Sequence, residues 1–166
     1  MHAEDIQLLY DYNCWANARI LRAAASVPGE QFALARLCYC GLRDTLVHMY
    51  SAERRWRARW QGESNMPMLA AEQVPTLDAL RELWEAEQPL MRAYLATVSD
   101  DDLASSFSYQ RSNGTRITST CWHTIAHMIN HATQHRAELG LLLTELGCSP
   151  GNLDLNVFLS RDRSHV

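Results

Sequence analysis

Four long stretches of this chain carry apolar residues at the spacing of an α-helix, and this pattern restricts the fold more than any other feature of the sequence. Each such helix must bury one face, and four of them in a chain of 166 residues bury those faces against one another. The sequence therefore predicts an all-α fold, a four-helix bundle. The predicted helices cover residues 4–26, 42–61, 77–98 and 119–146.

Three local signals refine this prediction. Thr76 is expected to cap the third helix, and Pro89 to kink or break it. The segments "SFSYQ" and "TRITS" alternate apolar and polar residues on either side of an "NG" dipeptide, which indicates a short β-hairpin before the last long helix. A short final helix is expected near residues 153–159. The whole chain, residues 1–166, is expected to form a single domain.

The charge pattern excludes several function classes. The net charge is −4, and all 15 basic residues are arginines, so Schiff-base catalysis and a P-loop lysine are excluded. Residues 53–60, "ERRWRARW", interleave arginine with tryptophan, as segments that bind nucleic acid do. The acidic overall charge instead favours a solvated helix face beside buried tryptophans. Nucleic acid is therefore not an expected partner.

Cysteine usage and hydropathy indicate the compartment. Five cysteines without a C-x-x-C pair form neither a disulfide framework nor a thiolate zinc site, so reduced thiols that pack in the core are expected. No apolar run approaches the ~20 residues that cross a bilayer. The N-terminal segment lacks the basic and apolar regions of a secretory signal. A cytoplasmic protein without membrane association is the expectation.

Four histidines follow one another at intervals of four residues in the predicted last helix: His123, His127, His131 and His135. Neighbours in this series lie about 40° apart and one turn up, whereas the first and the last lie about 120° apart, so all four cannot bind one metal ion. The apolar seam of the helix passes through His131 and His135. Two unsatisfied imidazoles on a core face would each cost ~1–3 kcal/mol, and a shared metal ion would satisfy both.

His48, on the second predicted helix, is the remaining internal histidine, and small residues surround it on the helical wheel. We therefore expect a three-histidine metal site formed by His48, His131 and His135. Three protein ligands leave one to three coordination positions open, which is typical of catalytic rather than structural sites. Nitrogen donors suit zinc, nickel, iron or copper. The alternative is a seam of polar core histidines without a metal.

Residues near the expected ligands have secondary roles. Asp44, four residues before His48, and Glu138, three after His135, either accept the second N–H of those rings or are ordinary charged residues. His127 is expected to line the pocket or to cap the site rather than to bind the metal. No catalytic residue is assigned. The H-x-x-x-H pairs lack the glutamate of a metalloprotease, and no G-x-S-x-G, phosphate-loop or dinucleotide motif occurs.

Three separated motifs resemble those of a known family. "YNCWAN" (12–17), "RDTLVH" (43–48) and a C-terminal half containing "FSYQRSNGTRIT", "HMINHATQHRAELGLLLTELG" and "PGNLDL" are similar, in this order, to motifs of the DinB-like family of small metal-binding bundles. The resemblance spans nearly the whole chain. It implies an up-down-down-up bundle, commonly dimeric, that holds a divalent metal ion. The family's ligand positions fall on His48, His131 and His135. Many relatives have glutamine where this chain has Glu138.

The resemblance also implies a range of functions. Related bundles include S-transferases and isomerases that use low-molecular-weight thiols, and some relatives increase in response to DNA damage. We therefore expect a metal-dependent enzyme with a small-molecule substrate, either a transferase with a low-molecular-weight thiol as cosubstrate or a hydrolase. Arg55, Arg57 and Arg59 either hold an anionic substrate or are solvated. The alternatives are a non-catalytic metal-binding stress protein and a dimeric interaction module. A homodimer is expected.

Overall fold

The computed structural model describes residues 1–37, 40–111 and 113–161, with Leu37 and Cys40 described by their backbone alone. Four long helices dominate the fold and confirm the predicted all-α four-helix bundle. The short final helix is also confirmed, whereas two further short helices were not predicted. In chain order the helices are α1 (Ala3–Ala24), α2 (Gly29–Leu34), α3 (Leu42–Trp60), α4 (Leu77–Leu95), α5 (Asp100–Ala104), α6 (Cys121–Glu145) and α7 (Leu155–Ser160).

Two small antiparallel sheets accompany the helices. Strands β1 (Arg36–Leu37) and β2 (Cys40–Gly41) pair just before α3 and were not predicted. Strands β3 (Ser106–Gln110) and β4 (Arg116–Thr120) form the predicted hairpin, which leads directly into α6. Gly114 in its turn has a φ of 82°, a conformation that favours glycine. The "NG" signal was therefore interpreted correctly.

Contacts between α3, α4 and α6 establish their directions. Trp60, the last residue of α3, donates a hydrogen bond from its indole N–H to Thr124 near the start of α6. His48, near the start of α3, instead lies against His131 farther along α6, so these two helices are antiparallel. The Trp60 ring also stacks on Tyr94 near the end of α4. Helices α3 and α4 therefore run in the same direction.

The remaining long helix, α1, runs parallel to α6. The backbone N–H of Ala3, its first residue, donates to Asp100, which precedes the hairpin that leads into α6. In its last turns, the Arg19 guanidinium donates to the carbonyl oxygen of Pro150, which follows α6. The helix order is therefore up-down-down-up, as the resemblance implied.

Two predictions concern the third long helix, α4. The Thr76 hydroxyl accepts a hydrogen bond from the backbone N–H of Ala79 at 3.2 Å, which confirms the predicted N-cap. Helix α4 continues through Pro89, so the alternative of a break there is wrong. Pro89 and Glu85 both lie on the exposed face, where water can bond the carbonyl that proline leaves without a donor. A kink at Pro89 stays a prediction.

Among the described residues, two large apolar clusters fill the bundle, one toward each end, and buried polar side chains lie between them; a small third cluster packs α7 against α1. Trp84 and Leu46 belong to the first cluster, and Ile6 and Ile125 to the second. The buried polar side chains include those of Asn13, Asn17, Glu53 and Arg136. A membrane span would require a longer apolar helix than any in the described part of the chain.

The described cysteines agree with the prediction of reduced, packed thiols. Cys14, Cys121 and Cys148 are free, and the first two are buried. Burial raises the pKa of Cys14 to about 11, which keeps it a protonated and unreactive thiol at neutral pH. The side chains of Cys38 and Cys40 lie outside the described part of the structure.

Candidate metal centre

Three histidines converge where α3 crosses α6. His131 and His135 project from successive turns of α6, and His48 faces them from α3. The Nε2 atom of His131 lies 3.0 Å from that of His48 and 3.2 Å from that of His135. One ring nitrogen of each residue lies within 4.8 Å of the other two. The structure thus brings together the three residues that the sequence selected.

The surroundings of His131 and His48 favour the neutral form of these two rings. Burial and the neighbouring rings lower the pKa of His131 to about 4. The pKa of His48 is also lowered, mainly by burial and secondly by the nearby His135 ring. Neutral imidazoles offer a lone pair, which protonated ones do not. Three imidazole nitrogens directed at a common point match the donor set of a divalent transition metal, so the residues present fit such an ion.

Glu138 holds one of the rings in a defined tautomer. Its Oε2 atom lies 2.7 Å from Nδ1 of His135. Because a carboxylate can only accept, the proton lies on Nδ1, and Nε2 of His135 keeps its lone pair toward the other two histidines. Glu138 therefore lies beside the three histidines, and its role in supporting a metal ligand stays a prediction.

Asp44 lines the cavity beside His48, but its carboxylate has other partners. It accepts a hydrogen bond from Arg36 at 2.9 Å and lies 3.6 Å from Nε of Arg43. Arg36 belongs to the short β1–β2 hairpin, whose contact with the start of α3 was not predicted. A role of Asp44 as the acceptor for His48 stays a prediction.

The other two histidines of the series do not join the group. His127 is exposed, lines the cavity and packs its ring edge-on against Trp56, with ring centres 5.6 Å apart. This is the predicted pocket-lining position. His123 is exposed and lies against Trp122 instead, with ring centres 4.2 Å apart. The drift of a four-residue step around the helix accounts for their separation from His131 and His135.

A cavity of about 780 Å³ opens beside His48. Its walls come from α3, from the loop that follows α3, from the β3–β4 hairpin and from α6. Its lining combines apolar, aromatic and cationic side chains, and the small residue Ala52 leaves space next to His48. The lining residues include Asp44, His48, Trp56, Tyr109 and His127, together with Arg55, Arg59 and Arg111.

The arginines of residues 53–60 divide between two faces of α3. Arg55 and Arg59 share the His48 face and line the cavity, whereas Arg57 lies about 200° around the helix from Arg55. Arg57 forms an ion pair with Glu87 of α4, whose side chain is 5% exposed. The expectation of a solvated arginine face is therefore wrong for Arg57, because α4 covers that side of α3.

A buried arginine next to the last proposed ligand was missed by sequence reasoning. Arg136 is 1% exposed and donates from Nη1 to the side-chain oxygens of Asn13 and Asn17, at 2.5 and 2.9 Å. Its Nη2 donates to the Thr133 hydroxyl at 2.7 Å, and its guanidinium lies 5.3 Å from the centre of the Tyr12 ring. The "YNCWAN" motif on α1 thus holds the residue that follows His135.

The buried network continues to a carboxyl group. Glu53 is 3% exposed and accepts hydrogen bonds from the Tyr10 hydroxyl at 2.6 Å and from the Asn13 amide at 3.4 Å. The Trp84 indole N–H donates to the same carboxyl group, also at 3.4 Å. Burial raises the pKa of Glu53, and these donors oppose that shift. Asn13 therefore links the buried cation of Arg136 to the buried carboxyl group of Glu53.

Comparisons with known proteins cover almost the whole chain. The model of the DinB family matches residues 1–163, a range that includes His48, His131 and His135. The chain is also similar to "Protein DinB" of Bacillus subtilis (strain 168), with 24% identity over 157 residues. The aligned region covers 91% of this chain and 91% of that protein.

Proposed function

Because the chain belongs to the DinB family, we propose that it is a divalent-metal-dependent enzyme that joins a low-molecular-weight thiol to an electrophilic small molecule. The proposed ligands are His48, His131 and His135, and zinc, nickel or iron suits their nitrogen donors. One observation carries the proposal: three Nε2 atoms converge beside a cavity of about 780 Å³ that His48 itself lines.

The composition of the group supports a catalytic rather than a structural ion. Structural zinc sites usually close with four protein ligands, whereas catalytic sites have three and keep a position open. Across the described ranges, no fourth histidine, cysteine or acidic side chain joins the three histidines. When bound, a divalent cation supplies Lewis acidity, which lowers the pKa of a thiol or of a water molecule that reaches it.

The carboxylates near the site favour a thiol over water as the nucleophile. A free thiol has a pKa near ~8.5 and ionises readily, whereas water has a pKa near ~15.7 and generally needs a base as well. Glu138 is engaged with His135, and Asp44 with Arg36. Transfer of a thiol therefore does not depend on a free carboxylate base from this chain, whereas hydrolysis generally does.

Other residues have supporting roles in this proposal. Glu138 fixes the tautomer and orientation of His135. Trp56 and Tyr109 provide apolar walls that exclude part of the water from the cavity and can contact the electrophile. Hydrolysis is the second candidate, because the Asp44 carboxylate lines the same cavity and is the nearest candidate base there.

The test uses untagged protein loaded with zinc, nickel or iron. Conjugation of cysteine or 2-mercaptoethanol to 1-chloro-2,4-dinitrobenzene is followed by absorbance, and hydrolysis of 4-nitrophenyl acetate is measured in parallel. In the first reaction the thiol sulfur bonds to the ring carbon, chloride leaves, and the thiol proton passes to solvent. The expected result is metal-dependent conjugation that a chelator abolishes.

Two variants control this test. The His131→Ala/His135→Ala double variant removes two proposed ligands and should lose the activity, whereas His123→Ala removes an exposed histidine of the same helix and should keep it. Metal-dependent hydrolysis without conjugation would favour the second candidate. A protein that binds metal but accelerates neither reaction, across a panel of thiols and electrophiles, would favour a non-catalytic metal-binding protein.

A further inference from the structure

We propose that the cavity beside the three histidines binds a carboxylate group of the small-molecule reactant, and that Arg59, supported by Arg55 and Arg111, holds that group. The inference rests on the proposed function, in which the other end of the same reactant lies at the three histidines. It adds the class of ligand: a small molecule with an apolar segment and a carboxylate.

The charges of the cavity wall favour an anion. Three arginines line it, namely Arg55 and Arg59 from α3 and Arg111 from the end of the β3–β4 hairpin. The one carboxylate among the described lining residues is that of Asp44, which Arg36 engages at 2.9 Å. The cavity therefore has an excess of positive charge, which attracts anions into a partly desolvated space.

Arg59 carries the argument most directly. Its guanidinium lies between two aromatic rings, 4.8 Å from the centre of Trp56 and 4.7 Å from that of Tyr109. Its Nε atom is buried and has no hydrogen-bond partner within the described residues. Burial and the repulsion of Arg55 and Arg111 lower the pKa of Arg59, so an anion at this point would relieve an unfavourable arrangement.

A neighbouring arginine on α3 differs from Arg59 because it is paired with a carboxylate. Arg57, two residues earlier on the same helix, donates to both carboxylate oxygens of Glu87. No acidic side chain forms an ion pair with Arg59 in the part of the chain described here. Since buried or half-buried arginines are normally paired, the arrangement at Arg59 is the one expected where the anion is a ligand.

The geometry of α3 also limits the length of the ligand. At about 1.5 Å per residue, the Cα atoms of Arg55 and Arg59 lie roughly 10 and 16 Å along the helix from that of His48. Long side chains on a helix extend back toward its N-terminus, so the guanidinium groups lie closer to His48 than their Cα atoms do. Val47, Ala52 and Leu69 also line the cavity and suit an apolar segment of several carbon atoms.

Four matched probes separate the two ends of the ligand. They are 6-mercaptohexanoate, 6-mercapto-1-hexanol, hexanoate and 1-hexanol, and their dissociation constants are measured by calorimetry on the zinc-loaded chain. Comparison of acid with alcohol measures the contribution of the carboxylate, and comparison of thiol with its sulfur-free analogue measures the contribution of the metal. The first comparison tests the present inference, and the second tests the proposed function.

Each acid is expected to bind about tenfold or more tightly than its alcohol, the effect of one charge-assisted hydrogen bond. In Arg59→Met this preference should fall to about twofold or less, whereas Arg59→Lys should keep part of it. Arg54→Met removes the same charge from α3 away from the cavity wall and should leave the preference unchanged. Urea unfolding of each variant verifies that the bundle remains folded.

Two results would overturn the inference: equal binding of acid and alcohol by the unaltered protein, or a preference that persists in Arg59→Met. A different result would overturn the proposed thiol chemistry alone. If the acids keep their preference over the alcohols but the sulfur atom adds no affinity with zinc present, the carboxylate site stands and the thiol proposal does not.

Discussion

Arg136 donates three hydrogen bonds in the buried network beside the site, and its replacement by methionine should destabilise the bundle by about 3–5 kcal/mol. Methionine fills a similar volume but removes three hydrogen bonds, to Asn13, Asn17 and Thr133. The oxygens of Asn13 and Asn17 then lose buried donors, at about 1–3 kcal/mol each. Glu53, linked through Asn13, also loses its nearby positive charge.

Urea unfolding followed by circular dichroism measures this change, with Arg92→Met as the matched control. Arg92 pairs with Asp11 on the surface, where both side chains are about half exposed, so its loss should cost less than about 1 kcal/mol. Equal destabilisation by the two substitutions would refute the reasoning, because it would show that the buried network contributes no more than a surface ion pair.

The remaining predictions concern the site and one helix cap. Glu138→Ala should weaken zinc binding about 10–100-fold in a chelator competition. Glu138→Gln keeps an acceptor for His135, so its zinc affinity should stay within a few-fold of that of the unaltered protein. Equal losses in the two variants would assign the effect to the charge of Glu138 instead of its hydrogen bond. His127→Ala should leave the metal content at the wild-type level by mass spectrometry, and a loss of metal would make His127 a ligand. Thr76→Ala should lower the free energy of unfolding in urea by about 1 kcal/mol, and an unchanged midpoint would show that the hydrogen bond from Ala79 to the Thr76 hydroxyl contributes nothing.

The long helices could be predicted because each must bury a continuous apolar face, which leaves a period in the sequence. The short β1–β2 hairpin could not, since two residues per strand leave no period to detect. Its consequence for the site was missed for the same reason: Arg36 lies in this hairpin and engages Asp44. The spacing of Asp44 from His48 on α3 contains no information about that arginine.

Much of the site was predictable from local spacing. His131 and His135 are one turn apart on the core seam of α6, so their convergence depends on one helix alone. The pairing with His48 required a guess about which helices pack together, and the structure confirms the convergence. Glu138 was predictable because it also lies one turn from its partner, His135.

The buried network was not predictable in this way. Because Arg136 lies in a polar stretch of α6, the local sequence predicts that it is exposed. Its partners, Asn13 and Asn17, lie about 120 residues earlier in the chain. The one available signal is that these two asparagines are four residues apart and therefore share a face of α1. Such a polar pair on a core-facing helix indicates a buried donor on a neighbouring element, but does not identify it.

The metal content of the untagged protein tests the central claim most directly. Mass spectrometry is performed on the unaltered chain, on His123→Ala and on the His131→Ala/His135→Ala double variant, each after incubation with zinc, nickel or iron and removal of free ions. A three-ligand site predicts about one divalent ion per chain in the first two proteins and almost none in the double variant. An unaltered chain that stays empty with all three metals would contradict the account and leave a polar histidine seam in the bundle.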